Sequence, residues 1–286
     1  MCRLTAYLGK EILLSNVVVD TDNSIIKQSA HALESKIMIN GDGFGIGWYT
    51  PEISPEPALF TSILPAWSDQ NLLYITAKIK SPAFFAHVRS ASLGSVSQSN
   101  CHPFLYEKWM FMHNGGIGDF LAVKRHLRHL LDDDIYHWIK GETDSEHIFA
   151  LFLQRAKGRD LSQLSVVADV LQETFFTILD LVKMFGKKQS SLSKFNICLT
   201  DGQRLIAARY SNSIKTKPQT LYYSLGGHFL MKNQHFHMVQ TGHPHCILVA
   251  SEKLTTGNDE WNIIPANHFL LVDEQLNTTL RSIPLL

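Results

Sequence analysis

A cysteine stands at position 2, directly behind the initiator methionine. Its side chain is small, so Met1 is open to removal, which leaves a thiol and a free α-amine on one residue. The thiolate is the nucleophile, but a free thiol has a pKa of about 8.5. An α-amine, with a pKa of about 7.7–8.0, can take the thiol proton directly or through a water. Cys2 could therefore supply nucleophile and base together. Arg89 and Ser92 follow the apolar run Phe84-Phe85-Ala86. A guanidinium at a strand end receives a carboxylate in bidentate fashion, and Ser92 adds a hydroxyl if the chain turns there. Asn114 and Gly115 close a second apolar run, Phe111-Met112. A side-chain amide beside a glycine N–H is the donor pair that an oxyanion needs. Asp144, in Thr143-Asp144-Ser145-Glu146, offers a carboxylate to a substrate ammonium.

Each group also has an ordinary reading. A small residue often follows an initiator methionine, an arginine can sit in a surface loop, and Asn-Gly makes tight turns. Thr143 and Glu146 fit a helix capping box, which would make Asp144 a first-turn acid favoured by the helix dipole. Other clusters carry weaker signals. Cys101-His102 pairs a thiol with an imidazole, but adjacency is poor ligand geometry. The stretch Gly226 to Cys246 holds His228, His235, His237, His243 and His245 without a second half to complete a zinc site. Gly41 to Gly47 contains a GxG but opens no helix, against a dinucleotide fingerprint. No metal or cofactor is expected.

The elements that must position these residues fall in a simple order. Cys2 to Leu8 reads as a strand, and a short helix is expected from Ser24, its N-cap, through His31. The glycines of Gly41–Gly47 suit a strand that another backbone approaches closely. Gln70 to Lys80 predicts a helix, and Ala83 to Val88 and Trp109 to Met112 predict buried strands. Asp119 can cap a helix with Phe120, Val123, Leu127, Leu130 and Leu131 on one face. A second helix is expected after Glu146 and a third from about Leu161 to Met184. Strands return at Phe195–Thr200, Leu205–Tyr210, Leu221–Ser224, Cys246–Ala250 and His268–Val272. Strands, then helices, then strands predict an α+β fold.

The chain has 286 residues, is 45% hydrophobic, and balances 26 basic against 26 acidic residues. That content supports a large core and excludes global disorder. The charge balance gives no case for nucleic acid or an anionic membrane as partner. No apolar run spans a bilayer, and Lys10-Glu11 interrupts any signal-peptide core. Four cysteines without a CxxC make no disulfide framework, so the expected compartment is the cytoplasm. With no linker, charge block or repeat, residues 1–286 read as a single domain.

Taken in order, the N-terminal Cys, His87-Val88-Arg89, Asn100-Cys101-His102-Pro103-Phe104, His113-Asn114-Gly115 and Thr143-Asp144-Ser145-Glu146 resemble the class II glutamine amidotransferases. The opening Cys2–Gly9 and the later Val249–Leu254 look like their stand-alone branch, which includes an ergothioneine-pathway γ-glutamyl amidohydrolase and a glutathione-degrading subunit. The resemblance implies a four-layer αββα N-terminal-nucleophile hydrolase sandwich. It casts Cys2 as nucleophile, Asn114 and Gly115 as oxyanion hole, Arg89 with Ser92 at the substrate α-carboxylate, and Asp144 at its α-amine. The reaction implied is hydrolysis of a γ-glutamyl amide through a Cys2 thioester. Two alternatives stand beside it: a glutaminase subunit serving a separate synthase or peptidase subunit, and an inactive interaction or metal-binding module. In the large members of the family an aromatic often follows the arginine; here Ser90 does.

Overall fold

Alternation decides the layers. The computed structural model describes all residues except Met1, 35–37, 92–93, 188–190, 227, 233–234, 240–242 and 256–260. Strand β1 (Arg3–Leu13) carries Leu4, Ala6 and Leu8 on one face and Arg3, Thr5 and Tyr7 on the other, as period-2 geometry requires. After helices α1 (Ser15–Val18) and α2 (Ile25–Ala30) come β2 (Phe44–Thr50), β3 (Ser54–Ser62), α3 (Gln70–Thr76) and β4 (Lys80–Val88). Strands β5 (Phe104–Tyr106) and β6 (Trp109–Gly116) lead into α4 (Phe120–Arg128), α5 (Asp133–Trp138), α6 (Asp144–Ala156) and α7 (Leu164–Phe185). The chain then returns to strands β7 (Lys194–Thr200), β8 (Leu205–Ser211), β9 (Tyr222–Gly226), β10 (His228–Lys232) and β11 (His235–Val239). It ends with β12 (Cys246–Ala250), β13 (Asn262–Ile263), β14 (His268–Val272) and β15 (Thr278–Ser282).

These strands form two antiparallel sheets, ordered β13-β9-β12-β1-β4-β2-β3 and β15-β14-β8-β7-β6-β5, and a separate β10-β11 hairpin. The sheets pack face to face through Leu4, Ala6, Phe85, Met110, Met112, Ala207, Val249 and Leu270. The outer face of the first sheet, through Tyr7, Phe84, Ala86 and Leu248, buries against Val17, Val18, Ile25 and Leu72 of the short helices. The outer face of the second, through Phe111, Phe195, Ile197 and Tyr210, buries against α4, α6 and α7. The result is the expected α+β sandwich of four layers, αββα.

Most elements lie where patterning places them. Ser24 caps α2 by accepting from the Lys27 N–H at 3.4 Å. The stripe Val167, Val170, Leu171, Thr174, Phe175, Ile178 and Val182 buries one face of α7. The glycines of β2 allow the close approach expected of them: a Cβ on Gly45 would come within 2.2 Å of the His102 carbonyl oxygen. Other elements differ. Strand β1 runs on to Leu13. Helix α3 stops at Thr76, and Lys80 already belongs to β4. Helix α4 ends at Arg128, leaving Leu130 exposed beyond it. Asp119 sits at φ 51° and gives α4 no side-chain cap; its carboxylate accepts from the Ser191 hydroxyl instead.

Candidate active site

Cys2 precedes β1, the central strand of its sheet, where Arg3 pairs with Val88 on β4. The Cys2 sulfur therefore meets the chain just beyond β4. The Ser90 N–H donates to Sγ at 3.3 Å, and the thiol donates to the Ser90 carbonyl at 3.5 Å. Burial is the main influence on this thiol and pushes its pKa up; the Ser90 N–H and the Arg89 and Arg3 charges pull the other way. Among the described residues, the sulfur's hydrogen-bond partners are the two backbone groups of Ser90, so no side-chain base touches it. Cys101, Cys198 and Cys246 are buried, whereas Cys2 is half-buried.

Asn114, on β6 of the facing sheet, reaches across the sandwich. Its side-chain amide donates to the Cys2 carbonyl at 2.7 Å. The amide has two N–H donors, so one remains for a second acceptor. Gly115 follows, and a Cβ there would lie 2.0 Å from the Lys194 carbonyl oxygen, a contact no side chain tolerates.

Cys2, Arg89, Ser90, His102, His113, Gly115, Thr143 and Asp144 line one cavity. Arg89 is buried, and its guanidinium donates to the Ser95 carbonyl at 2.9 Å. Asp144 opens α6, where its carboxylate accepts from the Ile117 N–H and the Ser145 N–H, each at 2.9 Å. Thr143 caps that helix by accepting from Glu146 N–H, but only half of the capping box forms. The Glu146 carboxylate turns back to the N–H groups of Lys140 and Gly141, both at 2.8 Å. Ser92 lies outside the described residues, as do Met1 and the side chains of the histidine-rich stretch from 227 to 242.

Three imidazoles border this region. His113 Nε2 faces the Lys194 carbonyl at 3.1 Å, which can only accept, so Nε2 carries the proton and Nδ1 accepts from the Ser145 hydroxyl at 2.8 Å. The rings of His87 and His102 pack against each other with centroids 4.2 Å apart and planes tilted by 34°. Burial drives both down, His87 to about 3. They are neutral at physiological pH. Among the described residues, no three His, Cys, Asp or Glu side chains are grouped to hold a metal.

The profile of the family described as "Glutamine amidotransferases class-II" matches residues 12–282. The chain belongs to the class II glutamine amidotransferases. Within that family it is 35% identical to the probable glutamine amidotransferase DUG3 of Saccharomyces cerevisiae, over 96% of this chain and 82% of the yeast protein. It is 31% identical to the gamma-glutamyl-hercynylcysteine sulfoxide hydrolase of Mycobacterium tuberculosis, over 40% of this chain and 49% of that one. The fold is similar to a class-II domain protein from Silicibacter pomeroyi, with TM-score 0.65, 25% identity, and coverage of 99% and 100% of the two chains. A glutamine phosphoribosylpyrophosphate amidotransferase of B. subtilis shares the fold at TM-score 0.61 and 15% identity, over all of this chain and 50% of that one. Among the described residues, no helix of this amidotransferase is long and apolar enough to cross a membrane.

Sequence reasoning passed over three residues of the site. Arg3 is fully buried one step behind Cys2, with its Nε 3.5 Å from the Glu252 carboxylate. Glu252 in turn accepts from the N–H groups of Leu33 and Glu34, at 2.9 and 3.0 Å. Asp42 accepts from the Ala91 N–H at 2.7 Å. The only sequence signals were a charge inside an apolar strand and an acid between two glycines.

A separate cleft of about 650 Å³ lies at the far end of β1 beside Gly9, Lys10, His245 and Glu274, away from Cys2.

Proposed function

We propose that residues 1–286 act as one domain that hydrolyses the amide C–N bond of a small γ-glutamyl compound through a thioester on Cys2. The observation that carries this reading is the single cavity bordered by Cys2, Arg89, Gly115 and Asp144, in a chain of this family. The names of the yeast and mycobacterial relatives support the same substrate class.

Removal of Met1 frees the Cys2 α-amine. Because burial keeps the thiol protonated and no side-chain base contacts it, the amine takes the proton as sulfur attacks the γ-carbonyl carbon. Negative charge moves to the carbonyl oxygen, where the second Asn114 N–H and the Gly115 N–H receive it. The tetrahedral adduct collapses, the C–N bond breaks, and the ammonium form of Cys2 returns the proton to the leaving nitrogen. Water then adds to the thioester with the amine again as base. Glutamate leaves and the thiol is restored. Arg89, with Ser92, takes the α-carboxylate and Asp144 the α-ammonium, which fixes the γ-carbonyl carbon over sulfur.

Glutamate release from glutamine, glutathione and other γ-glutamyl amides, measured together with N-terminal sequencing, tests the reading. Turnover by the processed wild type and none by Cys2→Ala is the expected result. Full turnover by Cys2→Ala, or by a chain that retains Met1, overturns it. A requirement for an added protein before any amine is released identifies a glutaminase subunit instead.

A further inference from the structure

The glycine-flanked acid at position 42 has no place in the chemistry above, yet it holds the backbone that faces the nucleophile. A peptide unit is planar, so fixing its carbonyl fixes the direction of its N–H, and the reverse. Two such units meet at Ser90. In the first, between Arg89 and Ser90, the carbonyl accepts from the Asp42 N–H at 3.0 Å, while its N–H donates to the Cys2 sulfur. In the second, between Ser90 and Ala91, the N–H donates to the Asp42 carboxylate at 2.7 Å, while its carbonyl accepts from the Cys2 thiol. Asp42 thus grips one end of each peptide plane whose other end touches sulfur.

The grip is itself held. The Arg89 N–H donates to the Gly43 carbonyl at 2.8 Å. Gly43 has φ +106°, a conformation open mainly to glycine, and a Cβ there would come within 2.8 Å of Cys101 Sγ and of the Ser62 carbonyl oxygen. A Cβ on Gly41 would meet the Trp67 ring at 2.8 Å. The Gly43 flank of Asp42 is therefore closed to any larger residue, while on the Gly41 flank the Trp67 ring would have to move aside.

We propose that Asp42 is a positioning residue for the nucleophile: it clamps both peptide planes of Ser90 and so sets where the Cys2 sulfur points. This rests on Cys2 being the nucleophile. The carboxylate acts through the Ala91 N–H, so what matters is an acceptor at that place and not the negative charge. Asp42→Asn keeps an acceptor there and loses the charge. Asp42→Ala loses both. Asp42→Glu keeps the charge but carries the acceptor a methylene too far.

The experiment measures kcat per Cys2 titrated by a glutamine-mimicking electrophile, with KM, for the four processed proteins. A misplacement of about 1 Å at a reacting group costs up to about 10²-fold, so kcat per titrated site should fall about 10- to 100-fold in Asp42→Ala and Asp42→Glu. It should stay within about threefold of wild type in Asp42→Asn, with KM changing less than kcat in all three because the Arg89 guanidinium has other anchors. A purely structural residue would lower the number of titratable sites and leave the rate per site unchanged; that result overturns the inference. So does Asp42→Asn falling as far as Asp42→Ala. If Asp42→Ala does not fold, Asp42→Glu against Asp42→Asn makes the same comparison. Should the electrophile label a residue other than Cys2, or Cys2→Ala keep turnover, the parent reading fails and this one with it; any other failure is confined to Asp42.

Discussion

The buried imidazoles His87 and His102 make a quantitative claim about acid. An ordinary histidine has a pKa of 6.5, and burial holds His87 at about 3 in the native state. Below pH 6.5 the unfolded chain takes up a proton that the native His87 refuses. Stability from this residue is complete above pH 6.5 and is lost progressively as pH falls towards 3. Each pKa unit is worth about 1.4 kcal/mol, so moving from neutral pH to pH 5, about 1.5 units below 6.5, costs about 2 kcal/mol through His87 alone. His147, held at about 4 chiefly by burial, adds a similar amount, and His102 moves in the same direction. Glu146, raised by burial, works against them, because the native state binds its proton more readily. Against a total of roughly 5–15 kcal/mol for a folded domain, the histidines are a large fraction. The perturbation is His87→Gln, which is neutral at every pH. Urea unfolding at pH 7 and pH 5 should show the wild type losing about 2 kcal/mol more than the variant between the two conditions. Comparing each protein with itself cancels whatever the substitution costs at neutral pH. An identical pH 7-to-5 loss in both proteins would refute the burial argument for this ring.

Four further expectations concern the site. Cys2→Ala should abolish glutamate release with unchanged circular dichroism, while Cys101→Ser, Cys198→Ala and Cys246→Ala each keep most activity; steady-state assays on the folded variants decide. Asn114→Ala should lower kcat by roughly 10²–10³ with little change in KM, since the amide acts on charge that develops in the transition state. Removing Arg89 or Asp144 should instead cost about 10²–10³ in kcat/KM mainly through KM, and wild type should turn over substrates lacking an α-amine or α-carboxylate poorly. Glu252→Gln strips the counter-charge from a buried Arg3 and should destabilise by about 3–5 kcal/mol, with Arg3→Met/Glu252→Gln less damaging than the single change, as denaturant titrations of both will show.

How much of this was written legibly in the sequence depends on the range of each interaction. Helix α7 declares itself through a 3.6-residue stripe, and β4 and β6 through short apolar runs, because those signals are local. Strand β3 begins Ser54-Pro55-Glu56-Pro57 and lies at a sheet edge with few buried side chains, so it carries no alternation to read. In the site, Arg89, Asn114 and Gly115 were visible as polar punctuation at strand ends, where catalytic and binding groups tend to be placed. The donation from Asn114 to the Cys2 carbonyl was not, since no spacing rule joins residues from two different sheets. Arg3 with Glu252 and Asp42 with Ala91 were hidden for the same reason: each pair meets only after strands from distant parts of the chain have paired. The capping-box pattern at Thr143 was half misleading, because Glu146 found two better donors in the preceding loop.

The place of β1 in its sheet bears on how the molecule is made. Thr5 to Gly9 pair on one side with β12, at Ala250 to Cys246. At about 5–20 residues per second, roughly 10–50 s of synthesis separate the emergence of those two partners. Through that interval β1 has no neighbour on that side, and its sheet is closed only when nearly the whole chain has been made. A chain truncated before Cys246 therefore leaves the strand that follows Cys2 as an open sheet edge, the kind of edge that templates pairing with another chain. Such truncated chains should aggregate where the full-length chain does not.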